Sequence, residues 1–360
     1  MNDSGTKDVT SASQYPGRGN ACPSLAPIPY TRAGSLIPFI RFLDGIGAPT
    51  ERLLGQAHLR LNLLEDPEAL VPLHFAHTFA GLAVRSEGID DIGILVAQQT
   101  SAFELGFFGE MLQRSLTVYE YLKTGIRLIG SITSGGRFWL TYEGDRLRFN
   151  QFSPGKIGTG RCQGDLYTLM ITINMLRRFT NWQWHPDEIC LLPGDDKLLG
   201  DRSAFHDARI VTNQPCTSFT IPISLLQKPI PGQHFPETSA SSLHQSPVPS
   251  MPADFLGALE QLITTLLRDG NPDICVAAET AGMSKRTLQR RLTELGLSYS
   301  KIVNQTRLRL AAARLGETDL SIAEISASLG YTDSSNFTRA FRASTGISPW
   351  TYRQRCRQAE

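Results

Sequence analysis

The sequence predicts an α+β N-terminal domain followed by an all-α C-terminal domain with two helix-turn-helix units joined by a long helix. Three observations predict it. A stretch with six prolines, Lys228 to Ala253, divides the 360 residues into two lengths that suit separate domains. Before it, helical periodicity gives way to short alternating runs, and after it the periodicity is helical almost throughout. In the helical length that follows the prolines, the same pattern occurs twice, around Gly282 and again around Gly330.

In chain order, residues 1–32 read as a disordered tail, and the opening "MNDSGTKDVTSASQYPGRGN" lacks the apolar segment of a signal peptide. The domain assigned to 33–227 begins with helices. In "SLIPFIRFLDGIGAPTERLL", Leu36, Phe39, Ile40 and Leu43 share a face, Gly45 and Gly47 end the helix, and Pro49-Thr50 starts another. "PEALVPLHFAHTFAGLAVRS" reads as a helix interrupted or kinked at Pro72. "FGEMLQRSLTVYEYLKTGIRLI" reads as one helix with Leu112, Leu116, Tyr119 and Leu122 on its inner face. "RFWLTYEGDRLRFNQF" then gives two strands around Gly144-Asp145. "DLYTLMITINMLRRFTN" returns to helix, and "EICLLP" and "SFTIPIS" to strands. Residues 228–253 read as a semi-extended linker, because proline fixes φ and favours polyproline II.

The C-terminal domain covers 254–360. In "PDICVAAETAGMSKRTLQRRLTELG", Asp273 is an N-cap and Ile274, Ala277, Ala278 and Ala281 line one side. Gly282 supplies the positive φ that ends the helix. Ser284 caps a second helix whose Leu288, Leu292 and Leu295 point inward, and the small Ala278 permits close approach. This is a helix-turn-helix pattern. "SIAEISASLGYTDSSNFTRAF" repeats it, with Ser321 and Asp333 as caps, Gly330 at the turn, and Ile322, Ile325, Ser326, Phe337 and Phe341 inside. Between the copies, "YSKIVNQTRLRLAAARLGE" reads as a long spacer helix.

The net charge of +1 hides an asymmetry: residues 274–358 hold 13 Lys and Arg against 6 Asp and Glu. A basic module on a neutral chain suits an anionic partner, nucleic acid first. Two heads on one chain can enter successive major grooves about 34 Å apart. Arg286, Gln289 and Arg290 on the first recognition helix, and Ser335, Asn336 and Arg339 on the second, are placed for base edges. Ser284, Lys285, Thr287, Ser334 and Thr338 lie near helix N-termini and suit phosphates. Arg291, Arg307, Arg309 and Arg342 read as solvated surface.

Residues 255–357 resemble the DNA-binding domain of the AraC/XylS family of bacterial transcription regulators. The likeness lies in "AAETAGMSKRTLQRRL", in "TRLRLAAARLGETDLSIAEISASLGYTDSSNFTRAFRASTGISPWTYR", and above all in the closing F-x-R-A-F-R-x-x-x-G-x-S-P-x-x-Y-R. The resemblance implies seven helices, base reading at Arg286, Gln289, Arg290, Asn336 and Arg339, and structural roles for Pro349, Tyr352 and Arg353. Arg286 stands where an aromatic or small residue is commoner. Residues 33–227 resemble the arabinose-binding-type N-terminal domain of a subset that includes ornithine-utilisation regulators, through "LRLNLLEDPEALVPLHFAHTFAGLAVRSEGIDDIGILVAQQT", "SLTVYEYLKTG" and "ARIVTNQPCTSFTIPISLLQKPI". That implies an effector-binding and dimerisation domain. The whole would be a cytoplasmic, homodimeric activator of nearby metabolic genes, acting on double-stranded promoter DNA with RNA polymerase. Its effector would be an amino acid, amine or related metabolite. The alternative keeps DNA binding and gives the N-terminal domain only dimerisation or a protein partner.

Other patterns limit the chemistry. The cysteines at 22, 162, 190, 216, 275 and 356 form no C-x-x-C pair, so neither a disulfide framework nor a zinc site is read from them. No apolar run reaches the roughly 18 residues of a membrane span. His74-x-x-His77 lacks a third metal ligand and reads as packing or surface. "PGKIGTGR" at 154–161 lacks the spacing of a P-loop and reads as a flexible loop. Cys190 and His185 belong to no nucleophile motif, and Trp139, Trp182 and Trp184 read as core or pocket walls. No cofactor and no enzymatic activity are expected.

Overall fold

The computed structural model describes residues 27–59, 66–180, 182–200, 202–230, 251–267, 270 and 272–358. Residues 1–26 of the expected tail and 231–250 of the expected linker lie outside the described residues.

The N-terminal domain is α+β. Strand β1 (Tyr30–Arg32) pairs antiparallel with β2 (Leu70–Pro72). Around this ribbon come α1 (Ile37–Gly45), α2 (Thr50–Gln56), α3 (Leu73–Glu87), α4 (Ile92–Gln99), α5 (Gly106–Gln113) and α6 (Val118–Ile132). A five-stranded sheet follows from β3 (Arg137–Glu143), β4 (Arg146–Phe152), β5 (Glu188–Cys190), β6 (Arg209–Val211) and β7 (Thr217–Pro222), in the order β3-β4-β7-β5-β6. Among these described strands only β5 and β6 are parallel. Alternation sets the sheet's inner face: Leu147 and Phe149 on β4 meet Phe219 and Ile221 on β7, all buried. Helix α7 (Thr159–Phe179) separates β4 from β5 and packs on α3 and α4. It is buried nearly all round, as its lack of a polar stripe requires. Where α7 meets α3, a Cβ at Gly160 would overlap the His77 carbonyl, so only glycine permits the approach. The short α8 (Ile223–Leu226) closes this domain.

Four expectations are corrected here. Pro72 neither interrupts nor kinks a helix; it ends β2 and precedes α3, where its missing N–H costs no helical bond. The single helix expected over 108–129 is two. Thr117 caps α6 by accepting from Glu120 N–H, and Glu120 Oε2 accepts from Leu116 N–H at 2.8 Å. That cap turns Leu116 and Tyr119 outward to solvent. Trp182 is exposed at a positive φ, not a core or pocket wall. Residues 27–32, assigned to the tail, are ordered, with Ile28 and Tyr30 buried. At the linker's start, Pro229 bridges to Thr117 and Ile230 is buried in the N-terminal core.

Among the described residues the C-terminal domain holds seven helices: α9 (Phe255–Leu267), α10 (Ile274–Thr280), α11 (Lys285–Glu294), α12 (Tyr299–Glu317), α13 (Ile322–Ser328), α14 (Ser334–Thr345) and α15 (Pro349–Gln358). They build two small cores. Leu259, Leu262, Ala278, Leu288 and Leu292 belong to the first; Ile325, Leu329, Phe337 and Phe341 belong to the second. The spacer α12 gives Ile302 and Val303 to the first and Ala311 and Leu315 to the second. The first core also takes Ile28 and Tyr30 from the other end of the chain. Tyr30 Oη donates to the Ala258 carbonyl at 2.8 Å, while its backbone N–H donates to Ser134 Oγ at 2.7 Å.

Candidate nucleic-acid interface and ligand cavity

The first helix-turn-helix is α10, a turn and α11. Asp273 caps α10 by accepting from Cys275 N–H at 2.6 Å. Gly282 takes φ +68°, and Ser284 Oγ accepts from Thr287 N–H at 3.1 Å to cap α11. Leu288 and Leu292 anchor α11 in the core. Leu295 is a correction: α11 ends at Glu294, so Leu295 falls on the C-cap and is exposed. Ser284, Lys285, Arg286, Gln289 and Arg290 all reach solvent, and Thr287 is half-buried. Arg290 Nε lies 3.8 Å from the Glu294 carboxylate.

The second unit, α13, a turn and α14, is built alike but holds its side chains differently. A reciprocal capping box joins Ser321 and Glu324. Asp333 caps α14 by accepting from Asn336 N–H at 2.7 Å, and it also accepts from Asn336 Nδ2 at 2.6 Å. Arg339 donates to Asn336 Oδ1. Ser334, Ser335 and Arg339 are exposed, whereas Thr338 spends its hydroxyl proton on the Ser334 carbonyl at 2.8 Å. So Asn336 and Arg339 hold each other, while Arg286 and Gln289 have no side-chain hydrogen bond to any described residue.

Two arginines read as solvated surface are packed. The Arg291 guanidinium stacks 5.2 Å from the Phe255 ring centre. Arg307 stacks 5.1 Å from the Tyr331 ring centre and donates to the Leu329 carbonyl at 3.0 Å. Pro349 is buried, Tyr352 packs edge-on against Phe341, and Arg353 donates to the Leu320 carbonyl, which ties α15 to the second unit.

The N-terminal domain holds a partly open cavity of about 140 Å³ among β1, α1, α3, α5, α6, β3, β4 and α7. Phe39, Leu122, Ile129, Phe138 and Phe149 form much of its wall, and none of its described lining residues is Asp, Glu, Lys or Arg. Thr31, Ser35 and Thr133 bring their hydroxyls together at 2.9 and 3.1 Å. His77 also lines the cavity; burial, then the nearby Arg161 and His74, push its imidazole down to about 4. A second cavity, about 480 Å³, lies between α3, residues 155–161 and the turn of the first helix-turn-helix. Leu73, His77 and Gly160 line both. The stretch expected to be a flexible loop is only partly a loop, since Thr159–Arg161 is the first turn of α7. Arg161 Nε pairs there with buried Asp165 at 3.4 Å, and burial raises that carboxyl to about 6. Cys190 Sγ accepts from Arg148 at 3.1 Å, and burial raises its thiol.

No sequence pattern pointed to His77 as a shared wall or to Tyr30 as a member of the helical core. The Tyr30–Ala258 bond spans 228 residues, and no local periodicity reports such a contact.

The fold and its two heads define a class, that of double helix-turn-helix proteins carrying a cavity-bearing α+β domain. Residues 277–355 match the family described as a helix-turn-helix domain, and residues 47–230, over half of the chain, match the arabinose-binding domain of AraC transcription regulators. The chain belongs to the AraC family of transcription regulators. It is 44% identical over 90 residues to the ornithine utilization regulator of Pseudomonas aeruginosa, covering 25% of this chain and 26% of that protein. It is 34% identical over 117 residues to the transcriptional activator NphR of a Rhodococcus species, covering 32% and 33%. These matches thus span between a quarter and a third of the relatives' lengths. The solved structure of the regulator CdpR from Pseudomonas aeruginosa aligns over 89% of this chain and 98% of its own, at 20% identity and a TM-score of 0.41. Among the described residues, no helix is long and apolar enough to cross a membrane.

Proposed function

We propose that this protein is a sequence-specific, DNA-binding transcription regulator rather than an enzyme, and that it activates transcription in response to a small molecule. The observation that carries this reading is the pair of capped recognition helices, each presenting polar and cationic side chains outward from an apolar anchor. Arg286, Gln289, Arg290, Ser335, Asn336 and Arg339 read bases; Ser284, Lys285, Thr287, Ser334 and Thr338 hold phosphates. The N-terminal cavity is the effector site, which favours a sensor over a domain that only dimerises. The family supports a homodimer in the cytoplasm that meets RNA polymerase at the promoter.

Strand β1 supports a route for the coupling. Neighbouring residues of a strand face opposite sides. On β1, Thr31 lines the cavity while Tyr30 enters the helical core. An effector that favours one setting of β1 therefore biases how the first head is held, and its coupling is the difference in its affinity for the two settings.

The test is selection of bound duplexes from a random pool with the full chain. One enriched site should emerge, its affinity falling steeply with salt as phosphate contacts release counterions. Recovery of no preferred sequence overturns the reading. A thermal-shift screen of metabolites on the full chain, followed by DNA titration with each hit, then tests the sensor.

A further inference from the structure

We infer that the N-terminal cavity selects a small, uncharged, largely apolar compound about the size of one six-membered ring, bearing one hydrogen-bonding group that meets His77. This rests on the proposed reading of that cavity as the effector site.

Size comes first. A cavity of about 140 Å³ is close to the roughly 150 Å³ engineered apolar cavity that admits benzene. Charge comes next. No described lining residue is Asp, Glu, Lys or Arg, so a bound carboxylate or ammonium would be buried without a counter-charge, which a site of low dielectric strongly disfavours. This departs from the amino acid or amine suggested by the resemblance.

Of the lining hydroxyls, those of Thr31, Ser35, Thr133, Thr168 and Thr172 are committed, whereas the buried Tyr167 Oη has no hydrogen-bond partner among the described residues. Thr168 and Thr172 donate to the Gly164 and Thr168 carbonyls of their own helix at 2.9 and 2.8 Å. Ser35 donates to the Arg32 carbonyl at 2.7 Å and, with Thr133, surrounds the Thr31 hydroxyl. Like the Tyr167 hydroxyl, the His77 ring makes no hydrogen bond to another described residue, and it is the lining group that can both donate and accept through ring nitrogens. That ring is neutral, and a neutral imidazole offers one donor and one acceptor. The Gly160 backbone packs on the His77 carbonyl, and the His77 ring stands beside Gly155.

The experiment is ligand-observed NMR titration of the full chain with benzyl alcohol, toluene, benzylammonium and benzoate. Benzyl alcohol should bind about five- to tenfold tighter than toluene, the effect of one neutral hydrogen bond. Both charged probes should bind at least about 100-fold more weakly than benzyl alcohol. His77→Phe keeps the ring's volume and should erase the preference for benzyl alcohol over toluene while leaving toluene binding intact. Should that variant fail to fold, His77→Asn keeps a donor and an acceptor and should retain some of the preference. Equal binding of either charged probe, or no binding of the neutral ones, overturns the inference; an undiminished preference in His77→Phe overturns the role of His77. DNA titrations on the same samples separate this from the sensor reading. Neutral binding with unchanged DNA affinity leaves the ligand class standing and overturns the sensor, whereas a charged effector from the metabolite screen does the reverse.

Discussion

Arg290 projects into solvent from α11 with 65% of its side chain exposed, and Glu294 stands 3.8 Å away. Such a surface pair contributes little to folding. Arg290→Ala should therefore leave stability unchanged yet cost about 1–3 kcal/mol on the selected site and relax preference at one base pair. Fluorescence anisotropy against single-position variants of the site measures both, and wild-type affinity and selectivity would remove Arg290 from the base-reading set. His77 makes a second prediction. Its folded pKa of about 4 lies below the ordinary histidine value of roughly 6.5. Between those values the unfolded chain binds a proton that the native protein lacks, so stability falls on acidification, by up to about 2 kcal/mol between pH 7 and 5. Asp165 works the other way: raised to about 6, it is protonated natively before its unfolded counterpart as pH falls, which adds stability. The decisive quantity is thus a difference. Urea stability of wild type should drop more than that of His77→Phe over this pH range, and parallel losses would contradict the buried, neutral imidazole.

The helix caps show what a sequence can reveal about its elements. Asp273, Ser284, Ser321 and Asp333 each stand at the N-cap expected of them, because a cap is decided by a side chain and a backbone N–H two or three residues on. The break between α5 and α6 was hidden because apolar spacing runs on through Ser115–Thr117, while the cap that interrupts it turns Leu116 outward. Pro72 reads as part of a helix in sequence because β2 exists only through its pairing with β1, about forty residues earlier. Ser321→Ala removes half of a capping box and should destabilise the second unit by about 1 kcal/mol. Urea denaturation followed by helical circular dichroism reads this out, and restored stability in Ser321→Asp would assign the loss to capping.

At the scale of the whole molecule, the double-headed helical domain was legible because its repeat is written twice in sequence, whereas the join between the domains was not. That join is the Tyr30 ring, fully buried among helices that begin at Phe255. Tyr30→Ala should remove about 3–5 kcal/mol from that core. In calorimetry the helical domain should then melt earlier than the N-terminal domain, as a separate transition. A single unfolding transition shifted by the same amount would mean that other contacts keep the two domains cooperative.

Strand β1 also bears on how freely such regulators can be recombined. A chimera cut within 231–250 and given a foreign sensor would hand over all seven described helices, and with them an unfilled hole the shape of Ile28 and Tyr30. The transplant that works should carry residues 27–32 along, as a peptide extension or a graft onto the new partner. By that measure the unit of exchange is discontinuous: the reading heads own a piece of chain whose Tyr30 lies 228 residues before the Ala258 it bonds.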